Sequence, residues 1–388
     1  MESVDRNNQD RGIRTALEAA LILTIGMGFG RFAYTAILPH MVEEGVLSVW
    51  AGSLAATLNY CGYLVGSLLS IYIKPHNAHR MCLCAVIGTA VFMALLAMPL
   101  PAVAIIAVRF IAGVFSAFSM VAASLWLLEH RGHSHHAPLL FAGVGFGIVV
   151  SAELIVLADW LLLTSFEMWL ALALLTVAPG IMVLRGLFDS NPKASPNYQT
   201  ESKRQAPNIG TGALIFCYGL AGLGYIITAT YLPFLVHQVL PEVDSSHIWA
   251  VFGLGAMPSC FIWHKIHQRL GSQLALQTNL GVQALGVVLP TMGSSSSFYL
   301  LSAILVGSTF MGTVTIAMSA AQKIKYRVKF NMLAVMTLSY GVGQIIGPLL
   351  AEALRAYSET FNSSLIAAAI GLVLAGAITA KPSKQLTN

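Results

Sequence analysis

Charge is what this sequence has least of. Asp, Glu, Lys and Arg make up 10% of its 388 residues, against roughly 25% in a soluble domain. So few ionised groups cannot cover a water-facing surface, and an ordinary soluble globular protein is excluded. Cysteine is scarce and unpatterned. Cys61, Cys82, Cys84, Cys217 and Cys260 are odd in number, form no CxxC and all fall in apolar stretches, so they read as small apolar fillers rather than disulfides or metal ligands. No GxxxxGK[ST] occurs, so the chain has no ATP-hydrolysing loop of its own. No HExxH or GxSxG occurs either, which disfavours a membrane-embedded enzyme.

What fills the chain instead is apolar sequence. Hydrophobic residues reach 56% and the mean hydropathy is +0.74. Breaks at charged or Pro/Gly-rich points leave twelve apolar stretches, near 15–38, 49–73, 81–98, 102–128, 138–160, 167–187, 210–236, 246–264, 272–290, 297–322, 330–353 and 361–380. Each has about the 17–25 residues a helix needs to cross roughly 30 Å of hydrocarbon, and four run longer. Polar residues gather in the breaks rather than recurring every 3.6 residues. The expectation is an all-α integral membrane protein with twelve transmembrane helices.

The second half echoes the first at an offset of 194, half the length of the chain. Gly28-x-Gly30 followed by Leu38-Pro39 returns as Gly222-x-Gly224 followed by Leu232-Pro233, and Gly113 meets Gly307. Two related bundles in one chain are how secondary transporters build a site between moving halves. The expected organisation is a six-helix bundle over 1–187, a polar, Pro- and Ser-containing cytoplasmic linker over 188–209, and a second six-helix bundle over 210–388.

Basic residues set the orientation. Of 21 Lys and Arg, 18 fall in the termini and alternate loops that share one side; Arg355 alone falls on the other, and Arg31 and Arg109 lie within helices. That asymmetry places both termini in the cytoplasm of a multi-pass protein of the inner (plasma) membrane. The net charge of +5 then reports topology, and no nucleic-acid partner is expected. No cleavable signal is expected, because the charged N-terminal stretch leads into about 24 apolar residues with no small-x-small site.

Several patterns have plainer readings than they first invite. Gly26-Met-Gly28-Phe-Gly30 and Gly143-Val-Gly145-Phe-Gly147 follow no strand and sit inside apolar helices, so they imply close helix packing, not nucleotide loops. His130, His133, His135 and His136 match no ligand spacing and read as a solvated turn, so no metal is expected. The informative residues are charges where charge is expensive. Arg31, Arg109 and Glu153 fall roughly 10–15 Å below the outer surface at 1.5 Å per residue, with Asn59 at a similar depth. A mid-membrane Arg costs about 2.5–3.5 kcal/mol on insertion scales and needs a partner or a water-filled cavity. Either an arginine pairs permanently with Glu153 as a clamp, or the three form a water-accessible site in which an arginine meets an anionic group and Glu153 exchanges a proton. Tyr225 stands 194 residues beyond Arg31. With Tyr34, Asn59, Tyr63 and Gln344 it completes the expected substrate-binding set, while Arg109 and Glu153 form the coupling set. Asp159, Glu167, Glu352 and Glu129 fall near helix ends and read as interfacial.

The segments GMGFGRFAYTAILPHM (26–41), LNYCGYLVGSLL (58–69), GLGYIITATYLP (222–233), QALGVVLP (283–290) and SAILVGSTFMGT (302–313) resemble, in order, the YbfB/YjiJ-type branch of the major facilitator superfamily. The resemblance implies two pseudo-symmetric six-helix bundles and alternating access around a central cavity. Arg109-x-x-x-Gly113 is similar to the fourth-helix motif of proton-coupled members, which marks Arg109 for coupling. The loop IKPHNAHR (73–80) departs from the superfamily's Gly-x-x-x-Asp-Arg-x-Gly by lacking the Asp, and Gln268-Arg269-Leu270-Gly271 is a reduced counterpart. Gly143-x-x-x-Gly147 is followed by Ile148 rather than proline, unlike drug antiporters; the proline form stands at Gly343-x-x-x-Gly347-Pro348. The expected activity is secondary active transport of a small organic, anionic solute. It would be driven by a proton gradient without a cofactor, in a monomer whose other partner is membrane lipid. Efflux of a hydrophobic amphipathic compound is the alternative within transport. A transport-inactive sensor or scaffold is the alternative outside it, although no signalling domain is appended.

Overall fold

In a computed structural model of the chain, the described residues are 2–188, 209–239, 245–324, 328, 332–358 and 360–380. The body of the expected linker, 189–208, lies outside them. The chain divides into two compact units, Met1–Tyr198 and Gln199–Asn388. No strand occurs among the described residues.

The first unit holds α1 (Gly12–Glu43), α2 (Val49–Tyr72), α3 (Pro75–Leu96), α4 (Ala102–His130), α5 (Ala137–Trp160) and α6 (Ser165–Phe188). The second holds α7 (Thr211–Pro233), α8 (Ser246–Thr291), α9 (Ser296–Ile324), α10 (Met332–Ser358) and α11 (Asn362–Thr379). Among the described residues, ten helices are long and apolar enough to cross a membrane. Exposure is inverted relative to a soluble protein. Val103, Leu174, Leu254, Leu285 and Val373 point outward, while Asn59, Ser116, Ser151 and Asn279 are sealed inside. Apolar groups outside and polar groups inside is the arrangement that a hydrocarbon solvent selects.

Two boundaries differ from those read in the sequence. The 46 residues of α8 would extend about 69 Å at 1.5 Å per residue, more than twice the roughly 30 Å of hydrocarbon. A break is needed, and Gly271 supplies it with φ 76° and ψ 169°, a conformation open to a residue without Cβ. The break is this one residue, because Lys265–Leu270 continue the helix where a longer loop was expected. The first helix also runs past Leu38 through Pro39 to Glu43. Proline removes only one ladder bond near a helix end, and membrane helices tolerate that loss.

The pseudo-repeat is visible inside each unit. In the first, α4 packs on α2 so closely that a Cβ on Gly113 would lie 2.1 Å from the Asn59 carbonyl oxygen. In the second, a Cβ on Gly307 would lie 2.1 Å from the Phe252 carbonyl oxygen, where α9 meets α8. Reciprocally, Gly62 faces the Phe110 carbonyl and Gly255 faces that of Ile304. Phe110 and Ile304 are again 194 residues apart. Glycine is required at these contacts because two backbones meet without room for a side chain. The Gly28-to-Gly147 approach of α1 and α5 follows the same logic, as the packing reading of both glycine runs expected.

Candidate functional site

The site in the first unit is built on an irregular stretch of α1. From Thr24 to Phe32 the backbone is π-helical, every residue of it buried, and the Ala33 amide donates to the Gly28 carbonyl five residues back. π turns are rare and concentrate at functional positions. Arg31 lies in this stretch and is 3% exposed. Its guanidinium carbon stands 4.1 Å from the ring centre of Tyr63, 5.2 Å from that of Tyr60 and 5.5 Å from that of Phe32. Tyr60 and Tyr63 are three apart on α2, a spacing that places both on one face. Ring faces attract a cation, the more so where water is excluded.

Arg109 enters from α4 and is 2% exposed. Its Nη1 donates to the Gly30 carbonyl at 2.9 Å and its Nη2 to the Arg31 carbonyl at 3.3 Å, while its guanidinium carbon lies 4.2 Å from the centre of the Tyr34 ring. Tyr34 is itself fixed: its hydroxyl donates to the Gly52 carbonyl at 2.9 Å, and its ring stacks beside Trp169 at 6.5 Å. Asn59 Nδ2 donates to the Arg109 carbonyl at 2.8 Å. The structure therefore gathers Arg31, Tyr34, Asn59, Tyr63 and Arg109 where α1, α2 and α4 meet. Two guanidinium groups share this desolvated core. Ring faces lie against both of them, and carbonyl dipoles accept from Arg109.

Glu153 has an exposed side chain on α5. The Arg109 guanidinium turns to backbone carbonyls of α1, so the permanent clamp between Arg109 and Glu153 is not formed.

In the second unit Tyr225 on α7 and Gln344 on α10 come together, each 1% exposed. Gln344 Nε2 donates to the Tyr225 hydroxyl at 2.5 Å. The Tyr225 ring stacks on Phe310 at 5.1 Å and on Tyr340 at 5.5 Å. The series continues through Tyr218 beside Tyr340 at 4.4 Å, Phe252 beside Phe310 at 5.4 Å and Trp249 beside Phe252 at 4.6 Å. Sequence reasoning passed over Tyr60, Phe310 and Tyr340. The three-residue spacing of Tyr60 and Tyr63 was a usable signal, whereas Phe310 and Tyr340 are brought to Tyr225 by tertiary packing alone.

The acids near helix ends have local partners. Asp159 lies 3.5 Å from the His40 ring, Glu167 closes a capping box with Thr164, and Glu352 pairs with Arg355 at 2.9 Å. In the loop before α5, the rings of His135 and His136 lie 4.0 Å apart with His133 about 6 Å away. Burial, reinforced by neighbouring cationic side chains, holds His133 and His136 below the ordinary histidine range. Among the described residues no group of three or more His, Cys, Asp or Glu is placed to hold a metal ion.

The family model described as "Uncharacterised MFS-type transporter YbfB" matches residues 23–380. That match contains α2 to α11 and all of α1 from Leu23 onward. No curated protein matches the chain.

Proposed function

The chain belongs to this family of MFS-type transporters, and we propose that it is a secondary active transporter that moves a small anionic organic solute by alternating access. The observation that carries the substrate class is the pair of buried guanidinium groups in the first unit, Arg109 fixed on carbonyls and Arg31 set over the Tyr63 ring. Two neighbouring cationic groups favour a solute with an anionic group, and a planar guanidinium can meet a carboxylate at two points. Tyr34, Asn59 and Tyr63, with Tyr225 and Gln344 from the second unit, are the remaining binding groups of this proposal. Ten spans, the broken 46-residue α8 and α10 support twelve crossings in two six-helix halves. The skew of Lys and Arg to one set of loops supports cytoplasmic termini and an inner-membrane location.

Transport is coupled to protons in this proposal, with Glu153 as the titrating group and Arg109 beside the solute-binding arginine. An exposed carboxylate within an otherwise apolar membrane helix is the usual mark of an ion pathway. The test uses proteoliposomes and a solute found by thermal-shift screening of carboxylates, since a ligand at 100 times its Kd stabilises by about 2.7 kcal/mol. Glu153→Gln should retain solute exchange and lose accumulation driven by a pH gradient, because an amide cannot carry the proton. Normal gradient-driven accumulation by this variant removes Glu153 from the mechanism. Arg31→Lys should weaken solute binding, since lysine cannot reproduce the planar two-point contact.

The aromatic series from Trp249 to Tyr218 favours a second reading, efflux of a hydrophobic amphipathic compound. Stabilisation by apolar amphiphiles and not by carboxylates in the same screen selects it.

A further inference from the structure

We infer that Arg109 is a positioning residue for Arg31: its two bonds to the carbonyls of Gly30 and Arg31 hold α1 in the π register, and that register sets the direction in which the Arg31 side chain leaves the helix. The inference rests on the reading that Arg31 contacts the solute.

A π turn carries one more residue than an α turn and is seldom sustained. Here it persists over nine residues, which calls for outside support. Upstream, Thr24 Oγ1 reaches the Ala20 carbonyl at 3.0 Å and the Gly143 carbonyl of α5 at 2.9 Å. Downstream, the Arg109 guanidinium takes the carbonyls of Gly30 and Arg31. The α4 backbone is held at the same level by the bond from Asn59 to the Arg109 carbonyl. Both ends of the stretch are thus tied to neighbouring helices, and the downstream tie is a planar, two-donor group that fits two successive carbonyls.

The second unit is an internal control. Its α7 carries the same Gly-x-Gly at the same offset, but the residue 194 beyond Arg109 is Ala303, and the helix is α from Thr211 to Val239. The glycine pattern alone does not produce a π stretch. The guanidinium accompanies it. Loss of the extra residue would turn the side chain at position 31 by about 100° around the helix axis, given 3.6 residues per turn. Its guanidinium would then leave the face of Tyr63.

Cysteine cross-linking reads the register without any solute. A Cβ built on Gly30 lies 3.7 Å from Thr89 Cβ, inside the roughly 3.5–4.5 Å window for a disulfide. The tight contact at 2.5 Å is to Thr89 Cγ2, which Thr89→Cys removes. In a cysteine-free background, Gly30→Cys with Thr89→Cys should cross-link, and Phe29→Cys or Arg31→Cys with Thr89→Cys should do so poorly. Adding Arg109→Gln should lower the 30–89 yield by about fivefold or more and raise the yield from position 29 or 31. Arg109→Lys, which keeps the charge and one donor, should fall between. An unchanged 30–89 preference in Arg109→Gln overturns the inference. If that variant does not insert, an unchanged preference in Arg109→Lys overturns it equally, and a parent protein that prefers position 29 or 31 overturns it without any Arg109 variant. Failure of the transport reading would show separately, as normal solute binding by Arg31→Lys.

Discussion

The first helices of the two units, α1 and α7, share a Gly-x-Gly…Leu-Pro frame at a constant offset, yet they carry it in different backbones. In α1 the glycines of the frame lie in a π stretch, which presents a buried arginine over two tyrosine rings. In α7 it is α-helical and presents a tyrosine that is hydrogen-bonded to Gln344 and stacked between Phe310 and Tyr340. The difference traces to one pair of equivalent positions, Arg109 and Ala303. A guanidinium without a carboxylate seeks main-chain oxygens, and Arg109 finds two in succession on the π stretch. An alanine makes no such demand. The shared frame therefore sets where helices meet, while the divergent polar residues set which side chains each unit gathers in its core.

Breaking the cationic side of this contrast should have the largest effect. Arg109→Ala removes two charge-assisted hydrogen bonds of about 1.5–3 kcal/mol each, and should lower the thermal midpoint and the folded yield of purified protein more than any change at Tyr225. The converse, Ala303→Arg, places a cation at a site that is 0% exposed and should cost about 2.5–3.5 kcal/mol. Wild-type stability in either variant would show that the asymmetry between the units is not set at this position.

The shared side should break symmetrically. Gly113→Ala and Gly307→Ala each drive a methyl group to about 2 Å from a carbonyl oxygen, and overpacking of this kind costs about 1–3 kcal/mol. Similar falls in the unfolding midpoint support equivalence of the two contacts; a harmless substitution at one of them would limit the repeat to sequence.

A smaller effect tests the tyrosine side. Tyr225→Phe keeps the stack and deletes the hydroxyl that accepts from Gln344, and should cost about 1 kcal/mol. A double-mutant cycle with Gln344→Leu measures the coupling, and additivity would dissolve the pair.

The smallest effect is a pH response in the loop before α5. His133 and His136 bind protons less readily in the folded chain than in the unfolded one. Their contribution is therefore present above the ordinary histidine pKa of about 6.5 and is lost as the pH falls through their depressed values. Amide exchange corrected for intrinsic rate should quicken around 131–136 between pH 7.5 and pH 5. The corresponding stretch 325–331 contains no histidine and should not respond.

Much of this protein was legible along the chain because the bilayer leaves few options. An apolar run of twenty residues must be helical to satisfy its backbone, so the spans, the paired glycines and the costly charges Arg31, Arg109 and Glu153 could all be found without coordinates. That Asp159, Glu167 and Glu352 fall near helix ends was likewise a matter of counting along the chain. The bounds at Pro39 and Gly271 were less legible, since a proline or a basic cluster signals a break without fixing its length.

Partnership is where tertiary structure decided. From spacing alone, Arg109 could have faced Glu153, Arg31 or the main chain, because every residue on a helix has a depth and its contacts depend on how the helices rotate. Packing turned its guanidinium onto the carbonyls of Gly30 and Arg31 and left Glu153 exposed on α5. It also set Tyr225 among Phe310, Tyr340 and Gln344, which lie 85, 115 and 119 positions away in the chain. Position along a helix follows from a count of 1.5 Å per residue, so the sequence by itself determined it. Direction around the helix axis follows from close packing at glycines and, in α1, from a π register that an arginine on another helix supports, and only the folded chain holds that information.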